Sequence, residues 1–272
     1  MDTLETAERA ARVIVERSGT RPDVGVICGT GFAPCTDVLT NRVTVPFEDL
    51  PGFRPSAIPG HVNEVEVGLL GDRVVAAVKA KVLPCDGATW EESGIPARTL
   101  ARAGCRVLLY SANSGSMRSN LGPGEFLAFT DHINFSGFNP LATEREGDGW
   151  PTPYLSMAEL YDAERTAAVC AASADAGVPL STGVAGYWMG PSFETPAEIG
   201  LAQSAGCSVS SNSFLPEVMA GYHAGMAIVA FTFVSTMSAG IAAPIALDRV
   251  LETTRRSHDD FRKIISAAVP VL

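Results

Sequence analysis

Short apolar runs of strand length alternate with amphipathic runs of helical spacing along almost the whole chain. That alternation restricts the fold more than any other feature. A strand that is apolar throughout needs cover on both faces, and intervening helices supply it. Residues 4–18 repeat apolar positions at helical spacing and stop at Ser18-Gly19. "VGVIC" reads as a buried strand opening into the turn "GTGF". "VNEVEVGLL" and "RVVAAVKAKV" read as strands around a Gly-Asp turn. "CRVLLYSA", "EFLAFTDHINF", "STGVAGYWMG", "CSVSSNS" and "MAIVAFTFVS" read as further strands, the first of them leading into a loop at "NSGSM". Between them lie the helical stretches "EESGIPARTLARAG", "MAELYDAERTAAVCAASADAG", "TPAEIGLAQSAG" and "LPEVMAGYHAG", with one long helix from "ALDRVLETT" to the C-terminus. The pattern predicts one α/β domain over 1–272, with a mixed central β-sheet flanked by helices and a strand meander near the front. The stretch 143–153 is the most loop-like.

Composition narrows the function classes. Of 272 residues 46% are hydrophobic and 18% charged, which leaves enough apolar surface for a sizeable core and argues against disorder. The net charge of −10 argues against nucleic-acid or anionic-membrane partners, which need basic patches. The N-terminus lacks the basic start and apolar run of a signal peptide, and no stretch reads as a membrane span. Six scattered cysteines without metal-type spacing read as reduced thiols of a cytoplasmic protein, and no metal site is expected.

Chemistry in α/β proteins gathers where strands end in turns. Six such junctions stand out. Thr30 sits in "ICGTGF", where glycines let backbone amides approach an anion, although a Gly-x-Gly also serves as a plain tight turn. His61 follows Pro-Gly in "IPGHVNE". "KVLPCDG" sets Lys81, Cys85 and Asp86 within six residues, and "SANSGSM" places Asn113 after a buried strand. Phe193 and Glu194 precede a helix in "MGPSFETPAE", where an acid also favours the helix dipole. Asn212 and Ser213 lead into a helix in "SSNSFLPE", where Ser213 equally fits a cap.

The order "GTGF", "PGH", a strand pair, "DHINFSGFNPL", "GPSFET", "LPEV" and "HAG" resembles the purine nucleoside phosphorylase family, from about Val24 to the C-terminal helix. "DHIN…NPL" and "GPSFET" point to its trimeric branch, which includes methylthioadenosine phosphorylases. The resemblance implies a pentosyltransferase that cleaves a purine nucleoside with phosphate as co-substrate and needs no cofactor. It also implies a homotrimer with active sites at subunit boundaries. By the resemblance, Thr30, His61, Lys81, Asn113 and Ser213 bind phosphate, with Asn113 displaced by one position and Ala112 at the family asparagine. Tyr154, Phe193, Glu194, Asn212 and Leu247 face the nucleoside, with Tyr154 lent by the neighbouring subunit.

The match breaks in the central loop. Where the family has Gly-Arg-Phe-His-x-Tyr-Glu-Gly, this chain has "AKVLPCDG". Lys81 then stands at the arginine, Leu83 at the second histidine, Cys85 at the tyrosine and Asp86 at the acid. Lysine keeps the charge but loses the bidentate fork. Thr236 replaces the asparagine that bonds the purine N7, and Asn212 the methionine beneath the ribose. Leu247, like Thr30, leans toward the methylthioadenosine branch and a 5′-modified substrate. The expected catalytic set is therefore His61, Lys81, Cys85, Asp86 and Thr236. Three readings stay open: a phosphorylase of altered specificity, a scaffold repurposed as a nucleoside hydrolase or for an unusual nucleoside-like metabolite, and a non-catalytic binding homologue. In the second, Cys85 and Asp86 become nucleophile and acid/base.

Overall fold

Capping chemistry starts the first helix: the Asp2 carboxylate accepts from the Glu5 amide at 2.9 Å and opens α1 (Thr3–Ser18), which stops at Gly19 with φ of 70°. The computed structural model describes residues 2–145, 148–242 and 247–272, the side chains of 247–249 and 251 excepted. After α1 come β1 (Val24–Ile27), β2 (Thr40–Pro46), β3 (Glu64–Leu70) and β4 (Arg73–Val78). A reciprocal capping box of Thr89 and Glu92 then begins α2 (Trp90–Ala103). β5 (Val107–Ser116), β6 (Phe126–Asn134), α3 (Ala163–Asp175), β7 (Leu180–Tyr187) and α4 (Pro196–Ser204) follow. β8 (Cys207–Ser211), α5 (Leu215–His223), β9 (Ala227–Met237), α6 (Leu247–Arg256) and α7 (His258–Ala268) complete the order.

The described strands form one mixed sheet in the order β2-β3-β4-β1-β5-β8-β7-β6-β9, with a further pairing of β5 to β9. β5, β8, β7, β6 and β9 thus close into a ring, from which β1, β4, β3 and β2 extend. One face carries Ile14, Ile27, Val78, Ile95, Leu100 and Val218, covered by α1, α2 and α5. The other carries Phe32, Leu109, Phe231, Phe233, Phe261 and Ile265, covered by α3 and α7. This is the expected mixed sheet between helical layers. β4, β1, β5 and β9 run parallel, so their C-terminal ends share one edge. β8 meets the end of β5 antiparallel, at Gly115 opposite Ser210.

Five local expectations need correction, the first being β4, which ends at Val78 rather than running on through Val82. β2 was not anticipated, because as an edge strand it is mostly exposed and shows no apolar run. "NSGS" is no loop: β5 continues through Ser116, since small residues pair as well as large ones here with β9. The helix expected from Met157 begins only at Ala163, because Tyr161 bridges to Ile228 and Asp162 caps the helix. The single C-terminal helix is two, interrupted at Ser257, where His258 Nε2 donates to the Gly31 carbonyl at 2.9 Å and anchors α7 to the first turn. Among the described residues no helix is long and apolar enough to cross a membrane.

Candidate active site

The first turn is held from below by β5. The Gly29 amide donates to Ser111 Oγ at 2.6 Å, and Asn113 Nδ2 donates to the Thr30 carbonyl at 3.1 Å. Glycine is required at 29: a Cβ there would stand 2.7 Å from Asn113 Oδ1. The Thr30 hydroxyl thereby faces His61, whose Nε2 lies 3.0 Å away. His61 Nδ1 bonds the Ser56 hydroxyl at 2.7 Å, which fixes the ring. Burial, aided by the Lys81 charge, pushes the His61 imidazole down to about 4. At neutral pH it is uncharged and both its nitrogens are engaged.

The turn after β8 closes the same group. Ser211 Oγ donates to the Asn113 carbonyl at 2.8 Å and lies 3.3 Å from Ser213 Oγ. Four of the five expected anion-side residues, Thr30, His61, Asn113 and Ser213, therefore form one connected polar cluster. Asn113 Oδ1 is buried and has no hydrogen-bond partner among the described residues. Ser111 and Ser211 were not singled out from sequence, since serine in a buried strand reads as packing.

Lys81 departs from its expected role. Its side chain is 1% exposed, and its ammonium donates to Tyr110 Oη at 2.9 Å and to the Ser111 and Ser213 carbonyls at 3.2 Å each. An ammonium has three donors, and all three are spent inside the protein. As placed, Lys81 supplies no free donor to an anion. Its counter-charge is Glu217, fully buried in the first turn of α5. Burial pushes Lys81 down and Glu217 up, and each opposes the other's shift. Sequence reasoning missed Tyr110 and Glu217; the only local signal was an acid within the apolar run "LPEVMAG".

The 81–86 loop ends in a single helical turn, Pro84–Asp86. The exposed Asp86 carboxylate accepts from the Leu83 amide at 3.3 Å, so it caps that turn. Cys85 lies beside Asn212, whose Nδ2 donates to the thiol sulfur at 3.7 Å, and beside Gly190. Burial, with the Asp86 and Glu217 charges, pushes the Cys85 thiol up to about 11. A nucleophilic role needs the thiolate, so the expectation of an activated Cys85 is not met in this environment. Nor does a histidine adjoin it: His132 contacts Tyr161, His223 contacts Arg98, and His61 and His258 are engaged as above.

A second polar cluster forms where β5, β8 and β9 end. Glu194 is half-buried; burial raises its carboxyl while the Ser210 hydroxyl opposes the shift. Ser210 Oγ lies 3.1 Å from Ser238 Oγ, and a Cβ on the intervening Gly115 would meet both. Thr236 pairs with Gly115 in the ladder and donates its hydroxyl to the Met237 carbonyl at 3.2 Å. Phe193 is 66% exposed beside Glu194, and Tyr154 is 88% exposed on the segment before α3. Leu247 opens α6, but its side chain lies outside the described residues. Among the described residues no group of three His, Cys, Asp or Glu could hold a metal ion.

Hydroxyls and an imidazole on one side suit an oxyanion. A half-buried carboxylate among serines on the other suits an N–H donor such as a heterocyclic base. Comparisons with known proteins place the chain as a whole. Residues 23–270 match the family model described as the phosphorylase superfamily. Purine nucleoside phosphorylase 1 of Bacillus subtilis is 31% identical over 263 residues, covering 96% of this chain and 97% of that one. The Bos taurus purine nucleoside phosphorylase is 26% identical over 280 residues, covering 99% and 96%. Among solved structures, isoform 2 of the Schistosoma mansoni purine nucleoside phosphorylase, in complex with cytosine and ribose-1-phosphate, superposes with a TM-score of 0.89. It is 26% identical and covers 97% of this chain and 95% of that one.

Proposed function

The chain belongs to the phosphorylase superfamily, and on that premise we propose that it cleaves the N-glycosidic bond of a purine nucleoside with inorganic phosphate. The observation that carries this reading is the connected Thr30, His61, Asn113, Ser211 and Ser213 cluster at the strand ends, with Glu194 half-buried across the same edge. A phosphate oxygen attacks the anomeric carbon as the bond from that carbon to the purine nitrogen breaks. The bonding electron pair leaves with the base, which takes up a proton, and the products are a sugar 1-phosphate and the free purine.

In this reading Thr30, Ser213 and the turn amides donate to phosphate, and His61 donates from the nitrogen facing Thr30. Glu194 accepts from a purine N–H, with Phe193 against the base. Thr236 turns its hydroxyl to the base in place of the Met237 carbonyl, and Asn212 lies beneath the sugar. Leu247 lines the 5′ end and admits a 5′-modified nucleoside. The chain works as a cytoplasmic homotrimer in which the exposed Tyr154 completes the neighbour's site. Cys85 and Asp86 shape the loop rather than react.

The test is base release from a panel of purine nucleosides, with and without phosphate. The reading expects release that stops when phosphate is omitted. Release independent of phosphate makes the enzyme a hydrolase, a reading favoured by the internal commitment of Lys81, which removes one cationic anchor. Absence of turnover, together with no nucleoside-induced rise in Tm, leaves neither activity standing.

A further inference from the structure

We propose that Lys81 is a positioning residue, an internal tie that holds the 211–213 turn against β5 so that its hydroxyls reach the anion side preassembled. The inference rests on the reading of that turn as part of a phosphate site. The Lys81 ammonium joins the chain leaving β4 to β5, through Tyr110 and the Ser111 carbonyl, and to the β8–α5 turn, through the Ser213 carbonyl, while Glu217 of α5 acts on it through charge. The two carbonyls belong to residues whose hydroxyls bond the turns that build the anion side. Ser111 Oγ takes the Gly29 amide, and Ser213 Oγ adjoins the Ser211 hydroxyl that binds Asn113.

Tyr110 doubles the tie. Its hydroxyl accepts from Lys81 and donates to the same Ser213 carbonyl, in a short hydrogen bond. The Lys81 ammonium also lies 4.6 Å from the Tyr110 ring centroid. Glu217 completes the arrangement electrically. It is 0% exposed, and the Lys81 charge and the Tyr110 hydroxyl both favour its ionised form. A buried carboxylate in that state is tolerated because a buried cation balances it, and removing either charge strands the other. The ammonium is thus fixed by acceptors on three sides and by charge, which suits a structural tie better than a mobile anion ligand. Cys28 and His61 are the other titratable groups that sense the Lys81 charge.

The experiment compares Lys81→Met, Tyr110→Phe, Ser213→Ala and the Lys81→Met/Ser213→Ala double variant. Two readouts are taken: phosphorolysis kinetics and hydrogen–deuterium exchange of the peptide spanning 211–218. A tie predicts faster exchange in that peptide for both Lys81→Met and Tyr110→Phe, with α3 and α7 unchanged. It also predicts a KM for phosphate raised about ten-fold, as expected for one lost charge-assisted bond, with the nucleoside KM little changed. The double variant loses no more than the worse single variant. An undisturbed 211–218 peptide overturns the proposal, whatever the kinetics. So do additive losses in the double variant with Tyr110→Phe neutral, which make Lys81 a direct anion ligand. If Lys81→Met does not fold, Tyr110→Phe, which removes one hydroxyl and no charge, carries the test. If the wild type shows no phosphorolysis, the functional reading fails, while the exchange arm still decides whether Lys81 ties the turn.

Discussion

Gly29 and His61 each turn one local constraint into a measurable consequence. A methyl group at Gly29 would meet Asn113 Oδ1 at 2.7 Å and the Ala112 carbonyl at 3.3 Å. Neither neighbour retreats freely, because Asn113 holds the Thr30 carbonyl and its own carbonyl takes Ser211. Gly29→Ala is therefore expected to cost about 1–3 kcal/mol, as overpacking does, and to weaken phosphate use more than nucleoside binding. A denaturant midpoint and the two KM values check this; an unchanged phosphate KM removes the turn from the anion side. His61 gives a pH signature. Its folded-state value is depressed to about 4, against the ordinary histidine value near 6.5. Between those values the unfolded chain holds the extra proton and the folded one does not. The contribution of neutral His61 to stability is thus complete above about 6.5 and is lost as pH falls toward 4. His132 and His223 are also depressed by burial, so the wild-type limb is shared. The difference in unfolding free energy between wild type and His61→Gln isolates one site, and it should decline across that window. A difference flat with pH means that His61 is not buried neutral.

Helices announced themselves through apolar spacing and strands through apolar runs, so what stayed hidden was whatever had neither. α1, α2 and the helix after "GPSFET" each begin at a side-chain cap that the sequence places in plain view. β2 was silent because most of its side chains face solvent, and the long reading of β4 failed because the chain beyond Lys79 leaves the ladder. The Lys81 tie was illegible for a different reason: its acceptors lie 29, 30 and 132 residues away, and no local pattern encodes a buried charge whose partners arrive by topology. α4 shows what an element adds to a site. Its Thr195/Glu198 capping box immediately follows Glu194, and Ile199 and Ala202 alone bury it against Met117 and Cys207. Losing the cap by Thr195→Ala should cost about 1 kcal/mol and lower Tm by roughly 2–4 °C, with weaker binding of free purine as Glu194 loses its frame. Gly200, on the same helix with open space around it, supplies the opposite change. Gly200→Ala should add about 0.4–1 kcal/mol by restricting the unfolded chain. Calorimetric purine binding for both variants decides the coupling: if Tm moves in both directions and affinity in neither, Glu194 does not depend on α4.

At the scale of the molecule, the strand ring brings the site residues to one edge but leaves the rings of Phe193 and Tyr154 outward. Phe193 is 66% and Tyr154 88% exposed. The approach to Tyr154 is firmly built. The Trp150 ring contacts the Arg98 and Arg102 guanidinium groups, at 4.7 and 4.5 Å from its centroid, and donates to the Thr3 hydroxyl at 3.0 Å. His223 Nε2 donates to the Pro151 carbonyl at 2.7 Å, and Arg98 bonds Glu144 at 2.6 Å. A segment braced this way three residues before an exposed tyrosine presents that ring rather than letting it wander. The proposed homotrimer gives the ring a destination, since a closed ring of head-to-tail contacts sets the same surface of each subunit against its neighbour's site. Each site then needs Glu194 from its own chain and Tyr154 from the next. Tyr154→Ala and Glu194→Ala trimers should each turn over nucleoside poorly while keeping the wild-type mass, three times that of the 28.5 kDa chain. Co-expressed, the two variants form mixed trimers in which some sites combine an intact Glu194 with an intact neighbouring Tyr154. Random assembly restores roughly a quarter of the sites, because each of the two requirements is met half the time. Activity of mixed trimers near that fraction of wild type, against almost none for either parent, assigns Tyr154 to the neighbour. Activity no higher than the mean of the two parents confines each site to one chain, and light scattering that finds a monomer removes the shared site altogether.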